Sequence, residues 1–401
     1  MALLSLQEKE SSNRFALFDV GFRALFLGAA LFSLVTMGLW HLLFNHGWSA
    51  NALQASPVIW HAHEMIYGYS LAVIAGFLLT AVQNWTGIKT LKGVSLILLM
   101  LIWIMGRVGF WLADSIPLIA LAAIDNLFIL YLMVAIARPI ISIRQWRQLP
   151  ILTILVLFLI GNITFYAGLI GILAEGTHTG LYVGFYIILL LMLIISRRVM
   201  PMFIANGVAD LQPDVKLTNR TWIDSAIIIL FVAFALLDIF DGEQILTSIL
   251  ALVLALLNSI RLAGWHVIGI WKKPLLWVLY VAHIWLVIGF IMKAASPVFN
   301  LSPMLALHAF SVGGIGMLTL GMMSRVSLGH TGRNVFQPPF NLNLMFICMV
   351  VAAVTRVLFP LLWPHQYSLW IGISQAFWCL AFVLFLWRYT LILISPRISR
   401  K

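Results

Sequence analysis

Apolar runs of about 20 residues recur from residue 22 almost to the end of the chain, each long enough to cross the hydrocarbon core of a bilayer. Backbone in that medium must satisfy its own hydrogen bonds, and unbroken apolar runs of this length do so as helices. Twelve such segments are predicted, near 22–44, 60–83, 91–112, 116–137, 150–173, 178–197, 223–241, 243–262, 275–295, 303–325, 340–361 and 366–394. Only 9% of the residues are charged, against about 25% in soluble domains. The expected class is an all-α polytopic membrane protein with about twelve transmembrane helices. Its expected organisation is a single integral membrane domain over 1–401, with helices 1–6 over about 22–197, a cytoplasmic loop over 198–222 and helices 7–12 over about 223–394.

The net charge of +11 invites comparison with nucleic-acid binders, but its placement argues against them. With the N-terminus inside, Lys89 and Lys92 fall in the first cytoplasmic loop, and Arg138, Arg144 and Arg147 in the next. Arg197, Arg198, Lys216 and Arg220 fall in the central loop, and Lys272 and Lys273 before the ninth helix. Arg325 and Arg333 follow the tenth helix, and Arg397, Arg400 and Lys401 end the chain. The opposite loops at 45–59, 113–115, 174–177 and 361–366 carry no Lys or Arg, only Asp114 and Glu175. This is the positive-inside pattern, which predicts cytoplasmic termini and leaves no role for nucleic acid. Charges among the first 21 residues (Glu8, Lys9, Glu10, Arg14) predict no cleavable signal peptide. Cys348 and Cys379 lie within apolar runs and read as small core residues, not as a disulfide.

Ionisable side chains inside apolar runs are costly unless paired, hydrated or bound, so they mark candidate sites. The strip Trp60-His61-Ala62-His63-Glu64-Met65 places two imidazoles and a carboxylate at the predicted outer mouth of the second helix. The topology puts His41, His178 and His308 near the same depth, with His46 and His365 in outer loops. His283 lies near the middle of the ninth helix, and only His266 and His330 fall on the cytoplasmic side. Such a cluster suits a metal or haem site near the outer face, with His61, His63, His308, His41 and His283 as candidate ligands. Residues two apart on an α-helix point about 200° apart. His61 and His63 therefore serve different centres, or one binds while a hydrogen bond holds the other, unless the helix starts at or after them. Glu64 is placed to orient a ligating imidazole through its free N–H, and Tyr67 is a further candidate for that supporting role. Arg107 and Asp125, at similar depth on consecutive helices, are expected to pair. In the tenth segment Gly313, Gly314, Gly316 and Gly321 fall within nine residues. They allow close approach of a flat cofactor or, equally, of a neighbouring helix.

Several of these segments resemble the NnrS family, described as haem- and copper-containing membrane proteins of the bacterial nitric-oxide response. They are Trp60 to Met65 with Gly76 to Val82 and Asn84 to Gly87, then Pro274-Leu-Leu-Trp277, and His308 through the Ser327-to-Arg333 stretch. The similarity runs from about Phe18 to the C-terminus. It implies a multi-pass protein of the bacterial inner membrane that binds haem b, with copper as a second candidate, and takes nitric oxide as ligand. His61, His63, His308 and His330 then occupy family motif positions. One departure is that the family pattern has His where this chain has Tyr280, and Tyr near its His283. These two are three residues apart and share a helical face, so a swap could preserve a site.

Imidazole is an axial ligand for haem iron, and b-type haem needs no Cys-x-x-Cys-His attachment, which is absent here. His330, Arg325 and Arg333 form a cytoplasmic group suited to an anion or to haem propionates. No adjacent His-His pair or His-Pro-Glu stretch is present, which speaks against turnover as a classical haem–copper reductase. No catalytic residue is assigned; an enzyme of this kind would be a haem-dependent oxidoreductase acting on nitric oxide with an electron donor. Two other readings compete. One is a secondary transporter with His61, His63 and Glu64 as its proton or substrate site; the six-plus-six arrangement invites it, though no sequence repeat is evident. The other is a non-catalytic signalling partner of another membrane protein.

Overall fold

The computed structural model describes residues 15–48, 53–240 and 242–398, and all regular structure among them is helical. Twelve helices form in chain order. The first six are α1 (Gly21–Asn45), α2 (Pro57–Thr86), α3 (Val94–Gly109), α4 (Leu118–Ser142), α5 (Trp146–Leu169) and α6 (Gly176–Val208). The second six are α7 (Thr221–Ile239), α8 (Gln244–Trp265), α9 (Pro274–Phe299), α10 (Pro303–His330), α11 (Asn343–Leu362) and α12 (Pro364–Ile394). Eleven are long and apolar enough to span a membrane, so the chain is a multi-pass membrane protein. The exception is α3, with 16 residues where a span over 91–112 is expected; at 1.5 Å per residue it covers about 24 Å.

Local chemistry sets the helix ends. Pro57, Pro274 and Pro303 stand in the first turns of α2, α9 and α10, where a missing N–H removes nothing from the helix. Gly87 (φ 70°) and Asn300 (φ 49°) close α2 and α9 in the left-handed region. Other helices outrun their apolar segments. α6 continues to Val208 through Pro201, so Arg197 and Arg198 are exposed helical residues and the central loop shrinks to 209–220. Hydropathy reports where lipid ends, whereas a helix ends where its backbone finds other partners.

α2 lies inside the bundle, packed against α1, α4 and α6. Of its apolar window 78% is buried, against 33% for α7 at the periphery. α10 holds the equivalent place in the second half, among α1, α6, α9, α11 and α12. Both interior helices are interrupted by π-helical segments, Glu64–Ser70 in α2 and Ala309–Gly316 in α10. Within the first, the Ser70 hydroxyl donates to the Met65 carbonyl five residues back at 2.7 Å. π-Segments inside α-helices often mark functional sites, and here each follows a candidate histidine directly.

Candidate functional site

A cavity of about 410 Å³ opens at the end of the bundle where α2 and α10 begin, beside α1, α6, α11 and α12. Val58, Met304 and Tyr367 on its wall are exposed and form its rim. His61 and His308 both line it, brought together from positions 247 residues apart in sequence. His61 lies flat on Trp40, ring centroids 4.4 Å apart and planes 8° from parallel. Its Nδ1 is buried with no hydrogen-bond partner. Leaving a polar atom so costs about 1–3 kcal/mol. His308 donates from Nδ1 to the Met304 carbonyl at 2.7 Å, which leaves Nε2 as the acceptor nitrogen. Arg356 of α11 donates to that nitrogen from Nη2 at 3.1 Å. Gln375 of α12 also lines the cavity; its Oε1 accepts from His41 Nδ1 at 2.6 Å, and its Nε2 is buried without a partner. His41 therefore supports the wall through Gln375.

His63 points elsewhere, as the helical geometry of α2 requires. Its ring is fully buried between Phe165, 4.3 Å away, and Tyr67, 5.0 Å away. Nδ1 lies 3.1 Å from Glu64 Oε1. Nε2 lies 2.9 Å from Asn162 Oδ1 and 3.3 Å from Asp125 Oδ2. The Asn162 amide nitrogen faces the Asp125 carboxylate at 3.1 Å and Asn126 Oδ1 at 3.3 Å, which fixes Oδ1 as the atom turned to His63. Both ring nitrogens thus meet oxygen acceptors, an arrangement that calls for the doubly protonated ring. Arg107 bridges Glu64 Oε1 at 2.8 Å and Asp125, forming the ion pair expected from the sequence, and Tyr166 donates to Asp125 Oδ2 at 3.2 Å. With that ring charged, two carboxylates face one guanidinium and one imidazolium, a neutral set in a buried interior. Such a network specifies how α2, α3, α4 and α5 fit together. Glu64 does hold an imidazole, as expected of it, but this imidazole has no nitrogen left to offer a metal. Tyr67 stacks beneath His63 and donates to the Gly180 carbonyl at 2.6 Å.

The remaining candidates lie apart from the cavity. His283 donates from one nitrogen to the Leu279 carbonyl and meets the Ser196 hydroxyl with the other, both at 2.7 Å. Tyr280 donates to the Leu262 carbonyl at 3.0 Å, so the two share no site. His330 is exposed at the far end of α10 and packs on Phe22, ring centroids 5.8 Å apart. Twenty-two residues of α10 separate it from His308, about 33 Å along the axis at the usual helical rise. Arg325, near that end, has its guanidinium 3.7 Å over the Phe203 ring. Arg333 follows in the loop after α10, one of its nitrogens buried without a partner. His178 packs at a tilt against Tyr182, a residue of the cavity wall, ring centroids 4.3 Å apart.

The α10 glycines face protein. A Cβ on Gly313 would lie 2.3 Å from the Trp285 ring, and one on Gly316 would lie 2.6 Å from Trp378. These two seat neighbouring tryptophans and Gly321 seats Val278 and Leu279 of α9, the helix-packing alternative, and none of the α10 glycines lines the cavity. Arg356 and Gln375 were missed by the sequence reasoning. Arg356 had a signal, an arginine in the apolar run from Met349 to Leu362; Gln375 had none beyond being polar. Among the described residues no three His, Cys, Asp or Glu side chains converge as a metal-holding group.

No curated protein matches the chain at a significant level. The family model described as NnrS protein matches residues 16–397, nearly the entire sequence, and the chain belongs to the NnrS family.

Proposed function

We propose that this is a haem-binding protein of the bacterial inner membrane that takes part in the response to nitric oxide, by binding or detoxifying it. The haem b would occupy the 410 Å³ cavity, with His61 and His308 as the residues able to ligate its iron. The observation that carries this reading is the meeting of two imidazoles from the two interior helices in one apolar cavity. Its volume lies in the range of about 300–1,000 Å³ typical of small-molecule and cofactor sites.

The residues present fit the group. His61 has a buried nitrogen without a partner, and His308 is held in the tautomer whose Nε2 carries the lone pair. An N–H donated to a backbone carbonyl is the usual way a ligating histidine is oriented. Trp40 fixes the plane of His61, and Phe44, Met65, Phe185 and Trp378 make the walls apolar. Bound haem would supply an iron that takes nitric oxide and changes oxidation state. Among the described residues copper would find only His61 and His308 as imidazole donors on this wall, so no separate copper centre is part of the proposal. The transporter reading needs His61, His63 and Glu64 in one site; His61 lines the cavity while the other two are engaged in the ionic network. An electron donor or partner membrane protein belongs to the proposal only if turnover occurs.

The test is the visible spectrum of detergent-purified protein from cells supplied with haem and copper. A Soret band that shifts when nitric oxide is added to the reduced protein is expected. A colourless protein without iron or copper by elemental analysis would overturn the reading.

A further inference from the structure

Among the described residues Arg356 is the one charged side chain on the cavity wall. It is only 8% exposed, and among the described residues no carboxylate lies within 4 Å of it. Nη2 is used on His308 and Nη1 is buried without a partner. The guanidinium also lies over the rim residue Tyr367, 5.7 Å from its ring. A buried cation without a counter-charge is unfavourable, and proteins relieve this by pairing it. Gln375 Nε2, a second unpartnered donor, lines the same cavity, with its carbonyl oxygen pinned by His41.

We propose that Arg356 and Gln375 form an anion subsite in this cavity that takes a carboxylate or a small oxyanion. The chemistry is that of a guanidinium and an amide N–H₂ presented to an O–X–O group. An anion there would draw the guanidinium away from His308 Nε2 and free that nitrogen, so anion binding and ligand release at His308 are coupled. Two sources have this chemistry. One is a propionate of the haem proposed above, in which case the subsite rests on that reading. The other is a free anion such as nitrite entering past Tyr367, which does not depend on it.

Isothermal titration of sodium nitrite and sodium formate into the haem-free protein in detergent, at constant ionic strength, tests the subsite. One saturable site is expected in the wild type. In Arg356→Gln it should be at least about tenfold weaker, and Gln375→Leu should weaken it as well, since a hydrogen bond to a charged group is lost. Repeating the titration on haem-loaded protein separates the sources. Loss of the site there, with haem dissociating faster from Arg356→Gln, assigns it to a propionate; persistence of the site assigns it to a free anion. Should the haem-free wild type show no site, faster haem loss from Arg356→Gln still supports the propionate form. No saturable site together with unchanged haem retention in Arg356→Gln overturns the proposal. If that variant does not fold, the wild-type titration and haem retention in Gln375→Leu decide by the same criteria. A protein that takes no haem leaves the anion titration readable, so failure of the haem reading and failure of the subsite are distinguishable.

Discussion

His61 and His63 stand two residues apart and play unlike parts. His61 presents an unpartnered nitrogen to a cavity, whereas His63 is an imidazolium locked between carboxylates. Their divergence was legible from helical geometry alone, since 200° separates them on one helix. Which residue faced the cavity was not, because that depends on which neighbours surround α2. The Arg107–Asp125 pair was legible from shared depth on consecutive helices. The entry of Asn162 and Tyr166 from α5 was not, because nothing in the sequence placed α5 against α2. His63→Ala should remove a cation from between two buried carboxylates, at a cost of about 3–5 kcal/mol by analogy with broken buried pairs. A lower thermal midpoint in detergent is therefore expected, with normal haem content in the fraction that remains folded. An unchanged midpoint would contradict the imidazolium assignment.

At the scale of elements, the two π-segments explain features that a regular helix could not. Each follows a candidate histidine and shifts the register of the helix beyond it, so that the residues on both sides face inward. Periodicity in an apolar stretch is too weak to reveal such an insertion, because every face of an interior helix is apolar. The glycines of α10 were visible in the sequence, but the partners of Gly313 and Gly316, Trp285 and Trp378, come from α9 and α12. On α6, Gly176, Gly180 and Gly184 recur every fourth residue; the first two bring α5 into backbone contact, a Cβ on Gly180 meeting the Phe165 amide nitrogen at 2.4 Å, and Gly184 makes room for Tyr67 of α2. Deleting Val312 should return the α10 segment toward regular helix and turn His308 by about 100° relative to the rest of α10. Loss of haem from a protein that still folds is the expected outcome; full haem retention would mean that the π-segment does not set the direction of His308.

At the scale of the whole molecule, the apolar runs carried most of the information. Twelve helices appear close to where they were expected, because a lipid-embedded backbone has few alternatives. The helix ends strayed where charged turns extend beyond the apolar stretch, as in α6 and at the end of α10. The order of packing, with α2 and α10 as interior helices, was not legible, since apolar residues facing lipid look the same as those facing protein. The charge pattern predicts that the His61 end of the bundle faces outward. Fusions at the C-terminus should therefore give fluorescent green fluorescent protein and inactive alkaline phosphatase, with the reverse at Asp114. The opposite pattern would invert the molecule and place the cavity on the cytoplasmic side.

The central claim, that the cavity between α2 and α10 is the haem site, is tested most directly by the haem-to-protein ratio of four purified single variants. His61→Ala and His308→Ala should lose most of the haem, while folded His63→Ala and His46→Ala keep the wild-type ratio. Equal ratios in all four, or loss confined to His63→Ala, would contradict the assignment.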